Sequence, residues 1–221
     1  MDNHLIAVNK PAGLLTQSNS KDSPSLLEFT RQWLKEEYHK PGKVYLGLVH
    51  RLDRPVAGVV LFARTSKAAA RFSRQFREHT VQKFYRARVE GVPENKKDTL
   101  IHYLRKEKSK KTTVFPRPTP DAKQAELDYR VVESSAGTSE LEVLLKTGRF
   151  HQIRAQLSFI GHPVLGDTQY RSRHPRPPGQ IALYASKLIF AHPVTHEQTT
   201  IEAPAPDGWA EPLTSRHKAP L

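Results

Sequence analysis

Cysteine is absent from this chain of 221 residues, and with it go disulfides, cysteine-ligated zinc and thiol nucleophiles. The lack of thiols fits a reducing compartment, so cytoplasmic residence, in cytosol or nucleoid, is the expectation. There is also no run of about 18 apolar residues, so no membrane-spanning helix is expected. The N-terminus, MDNHLIAVNKPAG, has neither a charged region leading into a long apolar stretch nor an Arg- and Ser-rich amphipathic segment, and no signal or transit peptide is expected. Acidic residues are in short supply: 22 Asp and Glu stand against 35 Lys and Arg, a net charge of +13. Such an excess points to a polyanionic partner. Nucleic acid is favoured over a membrane surface, because the basic residues are spread over the whole chain and not gathered on one amphipathic helix.

What remains is enough for one sizeable core, burying roughly 70% of the unfolded surface. Residues 4–8 read as a strand, followed by an ordered loop from Asn9 to Gln17 that carries Lys10 outward. Ser25 and Glu28 make a capping box before LLEFTRQWLKEEY, whose Leu27, Trp33 and Leu34 are expected to face the core until Pro41 and Gly42 end the helix. Strands are expected at 44–49 and 58–63. Thr65 or Ser66 caps a second helix with Ala69, Phe72 and Phe76 on one face.

KFYRARVE at 83–90 alternates as a strand and puts Phe84 and Tyr85 on opposite faces. The stretch from Arg105 to Pro120, dense in Lys, Arg and Pro, reads as a mobile connection or an extended hairpin over a substrate. Residues 125–133 and 138–146, joined by SSAG, form a hairpin. A helix follows through Ile153, Leu157 and Ile160, with Arg149, His151 and Arg154 at its start and Gly161 and Pro163 at its end. Strands at 182–191 and 197–203 precede a Pro-rich tail.

The segment with most chemistry is HRLDRPVAGVVLFAR at 50–64, where Asp53 lies between Arg51 and Arg54 directly before an apolar strand. Two guanidiniums beside a carboxylate favour its charged form and make an anion-binding surface, as a phosphate-bearing substrate requires. By itself so short a pattern is more often an ion pair at a strand mouth. The 11 histidines show no HExxH or His/Cys zinc spacing, and His151 and His162 read as hydrogen-bonders at helix ends.

Taken together, HRLDR at 50–54, KFYRARVEG at 83–91 and TGRFHQIRAQL at 147–157 resemble the three motifs of the RluA-type pseudouridine synthases. The VNKPAGLL run at 8–15, IGHPVLGD at 160–167 and YASKLIFAHPVT at 184–195 extend the likeness over nearly the whole chain, with Tyr184 where His is commoner in the family. The resemblance implies an α+β fold, a long, bent, mostly antiparallel sheet flanked by helices around a central cleft. It implies isomerisation of uridine to pseudouridine in tRNA or rRNA, with no cofactor and no metal.

On this resemblance Asp53 is the catalytic aspartate, attacking C1′ or removing the C2′ proton; Tyr85 packs on the flipped uracil and aids removal of the C5 proton; Arg154 pairs with the aspartate. Arg51, preceded by His50, fills the space left by the extruded nucleotide. Arg54 and Arg149 serve the substrate, Arg149 through phosphate, and Leu183 touches the uracil. The expected organisation is a catalytic domain at 1–205, a tail at 206–221, no N-terminal S4 module, and a monomer that binds RNA phosphates through Lys106–Lys111 and Arg171–Arg176. Rivals from other classes are a non-catalytic RNA-binding or chaperone protein on the same fold, and a nuclease, for which an acidic metal cluster or paired histidines are missing.

Overall fold

The computed structural model describes residues 1–18 and 23–209, and the chain divides into two compact units, Met1–Gln82 with Ala185–Pro206, and Lys83–Tyr184 with the segment from Asp207. In the first unit β1 (Leu5–Lys10) runs antiparallel to β3 (Ala57–Ala63), in register from Leu5 opposite Ala63 to Lys10 opposite Gly58. Every residue of β3 is buried, as its unbroken apolar run AGVVLFA requires of a strand covered on both faces. The late strands β9 (Leu183–Ala191) and β10 (Gln198–Glu202) form an antiparallel pair close to the expected bounds.

Helix α1 (Leu26–Glu37) begins at Ser25, whose hydroxyl oxygen accepts the Glu28 N–H and whose O–H meets the Glu28 carboxylate. Its buried residues are Leu26, Leu27, Thr30 and Leu34. Trp33, expected inward, is 44% exposed. One residue turns a helix by roughly 100°, which puts Trp33 on the rim of the face that Leu27 and Leu34 define. Helix α2 (Ser66–Arg77) is capped by Thr65 and buries Ala68 and Phe72, the latter edge-on to Phe190 at 5.0 Å.

The strand expected at 44–49 is reduced to β2, Gly47–Leu48, paired with Ala63 and Phe62 of β3. The reason is at the next rung: His50 Nε2, not a strand carbonyl, accepts the Leu61 N–H at 2.8 Å. The imidazole lies flat against Phe76, centroids 4.9 Å apart, and the chain leaves the sheet there.

In the second unit β4 (Gln82–Glu90), β8 (Thr138–Leu145), β7 (Lys123–Ser135), β5 (Lys97–Lys106) and β6 (Thr112–Phe115) lie side by side in that order, every pair antiparallel. The β7–β8 turn has positive φ at Ala136 and Gly137, the primed geometry that suits a hairpin's twist. β5 was not among the expected strands, and the Arg105–Pro120 stretch resolves as the end of β5, a turn and β6, not as a mobile connection. Helix α3 (Gln152–Phe159) buries six consecutive residues from Gln152 to Leu157. Gln156 is fully buried, and its amide nitrogen is satisfied there: Nε2 donates to the Leu100 carbonyl at 3.2 Å and meets His102 Nδ1 at 3.0 Å.

Glu140 is 5% exposed between Arg86 and Arg88, and the indole N–H of Trp209 donates to it at 3.1 Å. Trp209 is thus buried, although it falls in the stretch expected to be tail-like. Among the described residues no helix is long and apolar enough to cross a membrane.

Candidate active site

The first unit presents Asp53 on a loop that is locked from below. Lys10, expected to point outward, is the last residue of β1 and has 0% exposure. Its ammonium donates to the carbonyls of Leu14 (2.8 Å), Pro11 (3.0 Å) and Arg54 (3.1 Å). Three carbonyl acceptors make burial of an ammonium tolerable. Burial still draws its pKa from 10.5 down to about 8, against the opposing pull of the Asp53 carboxylate.

The Asn9–Gln17 and His50–Arg54 loops are stitched together further. Gly13 N–H donates to the Arg54 carbonyl at 2.8 Å, and Arg54 Nε returns a bond to the Gly13 carbonyl at 2.9 Å. Thr16 Oγ1 accepts the Leu52 N–H at 3.1 Å and donates to the Leu52 carbonyl at 3.0 Å. Arg54, expected to flank the carboxylate, therefore also serves to tie the two loops. Arg51 is exposed, Leu52 is buried and Asp53 is intermediate between them. His50 spends its Nε2 on the Leu61 N–H, which makes it an anchor of this loop.

The second unit carries Tyr85, Arg149, Arg154 and Leu183. Tyr85 lies opposite Val143 and Phe84 opposite Leu144, so the two rings do take opposite faces of β4. Tyr85 is buried, and Lys83 on the same face is 8% exposed, its pKa lowered by burial. Lys83 Nζ lies 4.0 Å from the position a side chain would take at Gly148. Leu183 opens β9, is 3% exposed and follows Ala182, whose carbonyl accepts the Arg88 N–H at 2.9 Å.

The turn before α3 is held by Gln152: its Oε1 accepts from Thr147 Oγ1 at 2.8 Å and from the Arg149 N–H at 2.9 Å, while its Nε2 donates to the Glu126 carbonyl at 3.1 Å. His151 takes a left-handed φ of 53° and meets the Tyr170 hydroxyl at 3.1 Å. It makes no bond to the helix's own first-turn N–H groups, and His162, just past the other end of α3, bonds the Glu90 carbonyl on β4 at 2.9 Å, so both histidines are hydrogen-bonders at the helix ends, as expected, with partners outside the helix. Arg149 Nε donates to the Gln124 carbonyl at 2.9 Å. Arg154, 5% exposed, makes a bidentate pair with Asp167: Nε to Oδ2 at 2.6 Å and Nη2 to Oδ1 at 2.9 Å, with Gln169 on the same nitrogen at 3.0 Å.

The Arg171–Arg176 loop is drawn onto Glu90, which accepts from Ser172 Oγ and from the backbone of Arg173 and His174. Burial raises the Glu90 pKa, but these donors outweigh it and hold the carboxyl below its usual range.

Sequence reasoning missed Lys10, Lys83 and Asp167. The signals were weak: a lysine before a Pro-Ala-Gly turn, a lysine at an inward position of an alternating strand, and an acid ending an apolar stretch.

Comparison with known proteins gives a consistent picture. Residues 4–159 match the model of the family described as RNA pseudouridylate synthase. Over 228 residues the chain is 32% identical to a protein of Haemophilus influenzae named tRNA pseudouridine synthase C, spanning 95% of this chain and 93% of that protein. It is 34% identical to an uncharacterized RNA pseudouridine synthase of Bacillus subtilis, over 93% of this chain and 67% of the other. Among solved structures it resembles human RNA pseudouridylate synthase domain containing 4, with a TM-score of 0.78 at 23% identity over 94% of this chain and 87% of that one.

Proposed function

The chain belongs to the RNA pseudouridylate synthase family, RluA type, and on that premise we propose that Asp53 is its catalytic aspartate, acting on a uridine of structured RNA, transfer RNA first. The activity is that of an RNA-modifying isomerase and not of an RNA-binding protein that kept the fold. The reaction conserves every atom of the nucleotide except for exchange of one proton. The bond from uracil N1 to C1′ breaks, the uracil turns, C5 joins C1′, and the proton on C5 leaves while N1 gains one.

Asp53 acts in the first step, either as nucleophile on C1′ or as base toward the C2′ proton. Tyr85 packs on the uracil and takes part in removing the C5 proton. Arg154 holds the aspartate's orientation, with Asp167 fixing the guanidinium, and Leu183 supplies the apolar contact. Arg51 fills the stack when the nucleotide is extruded, offsetting a few kcal/mol of unstacking. Arg54 and Arg149 assist substrate binding, His50 supports the loop, and the protein acts as a cytoplasmic monomer.

The observation that carries this reading is the locked Asp53 loop. A catalytic carboxylate must be held before the substrate arrives, and Lys10, Thr16 and Gly13 hold the backbone on both sides of Asp53. Transfer RNA is favoured because the Haemophilus relative so named matches over nearly its whole length.

The test is tritium release from RNA labelled at uracil C5, on transfer RNA and ribosomal RNA pools, with wild type beside Asp53→Ala. Release from transfer RNA by wild type alone is expected. Release by Asp53→Ala at a comparable rate would reject the assignment of Asp53.

A further inference from the structure

The β5–β6 hairpin and the turn before α3 line an open cavity of about 480 Å³. Its walls are built, not accidental. Thr112 at the start of β6 donates its hydroxyl to the Phe150 carbonyl at 2.7 Å, and its N–H donates to the Tyr170 hydroxyl at 2.8 Å, so the hairpin is pinned to the turn. Buried Leu104 lies on one wall.

The lining charge is strongly of one sign. Arg105 and Glu107 neutralise each other across 3.0 Å. That leaves Lys106, Lys108, Lys123 and Arg149 against Asp121 alone, four cations less one anion, a formal +3. Two of the cations are held in place. Lys106 Nζ lies 4.7 Å from the centre of the Phe150 ring, which is itself stacked on His151 with centroids 3.8 Å apart, and Arg149 is tethered by Nε to the Gln124 carbonyl. Leu104 pairs with Lys123 across β5 and β7, so Lys106, two residues on, shares its sheet face with Lys123.

We propose that this cavity is a subsite for backbone phosphates of the RNA, reading charge and not sequence. Phe150 is committed to His151 and Lys106, so its ring serves to hold a cation and not to stack a base. Four cations in one open cavity suit successive phosphodiesters better than a single small anion. The inference rests on the reading of the chain as an enzyme of RNA, and it adds where the backbone is gripped. Because Arg149 and Phe150 lie in the turn that leads into α3, phosphates bound here bear on the segment that carries Arg154.

The test compares wild type, the double variant Lys106→Ala/Lys123→Ala, the charge-preserving double variant Lys106→Arg/Lys123→Arg, and Lys146→Ala, a cation paired with Asp128 outside the cavity. Binding is read by fluorescence anisotropy over a series of salt concentrations, with transfer RNA and with an abasic single-stranded oligomer, and tritium release is measured alongside. For the alanine pair the slope of log K against log salt becomes shallower by about 1.4–1.8 on transfer RNA, 0.7–0.9 for each lost contact, with a parallel loss on the abasic oligomer. The arginine pair and Lys146→Ala keep the wild-type slope.

An unchanged slope for the alanine pair overturns the subsite, and tritium release by the wild type would then show that the isomerase reading stands without it. A shallower slope with no release by the wild type keeps the subsite and overturns the isomerase reading. Inorganic tripolyphosphate that displaces the abasic oligomer completely at equal phosphate concentration would identify a site for free polyphosphate and overturn the RNA assignment.

Discussion

Lys10 Nζ donates to the carbonyl oxygen of Arg54 at 3.1 Å, joining the end of β1 to the loop of Asp53 across 44 positions of sequence. The same ammonium feels the Asp53 carboxylate, and it is buried completely. A β-strand end and the Asp53 loop are thus coupled through one titratable group.

Burial lowers the pKa of Lys10 from 10.5 to about 8, and Asp53 opposes that shift. The sign for stability follows. Below about pH 8 both folded and unfolded chains carry the proton and the burial cost is fully present; between about 8 and 10.5 the unfolded chain binds more protons, so this residue makes stability rise with pH. Activity runs the other way, because the neutral amine no longer offers Asp53 a cation or Arg54 a charged donor. Turnover at saturating RNA is expected to fall along an alkaline limb with an apparent pKa near 8, without a matching fall in Tm. Lys10→Arg stays charged and should remove the limb. A limb unchanged in that variant would place its origin in another group.

Tyr85 lies on β4 opposite Val143 and is buried, so its ring packs whatever else it does. Tyr85→Phe keeps the ring and removes only the hydroxyl. The expected outcome is a normally folded protein that binds RNA as wild type does and releases tritium slower by about 10²-fold or more, the scale of a lost proton-transfer group. Wild-type release would reduce Tyr85 to packing.

Gly58 lies opposite Lys10 in the β1–β3 ladder with φ of +112°, and a Cβ there would sit 2.3 Å from the Ala185 carbonyl oxygen. Neither the backbone conformation nor the close approach admits a side chain. Gly58→Ala is expected to cost about 3 kcal/mol or more, because β9 and β3 must separate locally. Chemical denaturation measures it, and a loss under about 1 kcal/mol would mean the strands part easily.

Elements that bury a continuous or strictly alternating apolar face were legible in the sequence: β3, the β7–β8 hairpin and the existence of α1 and α2, although Trp33 lies outside the α1 core face and α2 buries Ala68 with Phe72 where Ala69 and Phe76 were expected with it. β5 was not, because its inward positions include His102, which reads as polar and is buried against α3, where Gln156 bonds it and Phe159 packs edge-on to it. β2 was overextended because nothing local says that a histidine side chain will take the place of a strand carbonyl at Leu61. The motif residues could be picked out by resemblance, but their supports could not. Lys10 looks like a loop lysine until three carbonyls converge on it, and Asp167 has no visible partner until α3 brings Arg154 to it.

That last pair gives the sharpest stability prediction. Arg154 and Asp167 are 5% and 2% exposed and joined by two hydrogen bonds, so removing the carboxylate takes the bidentate partner from a guanidinium in the interior. Asp167→Ala is expected to destabilise the protein by about 3–5 kcal/mol, a fall in Tm of roughly 6–20 °C for a chain of this size. Asp167→Asn retains an acceptor oxygen and should cost less, keeping enough folded protein to assay. If Arg154 holds Asp53 in position, the freer guanidinium of Asp167→Asn lowers kcat while KM for transfer RNA stays near wild type. A loss confined to stability, with kcat per folded molecule unchanged, would make the pair a support of α3 alone and leave Asp167 no part in catalysis.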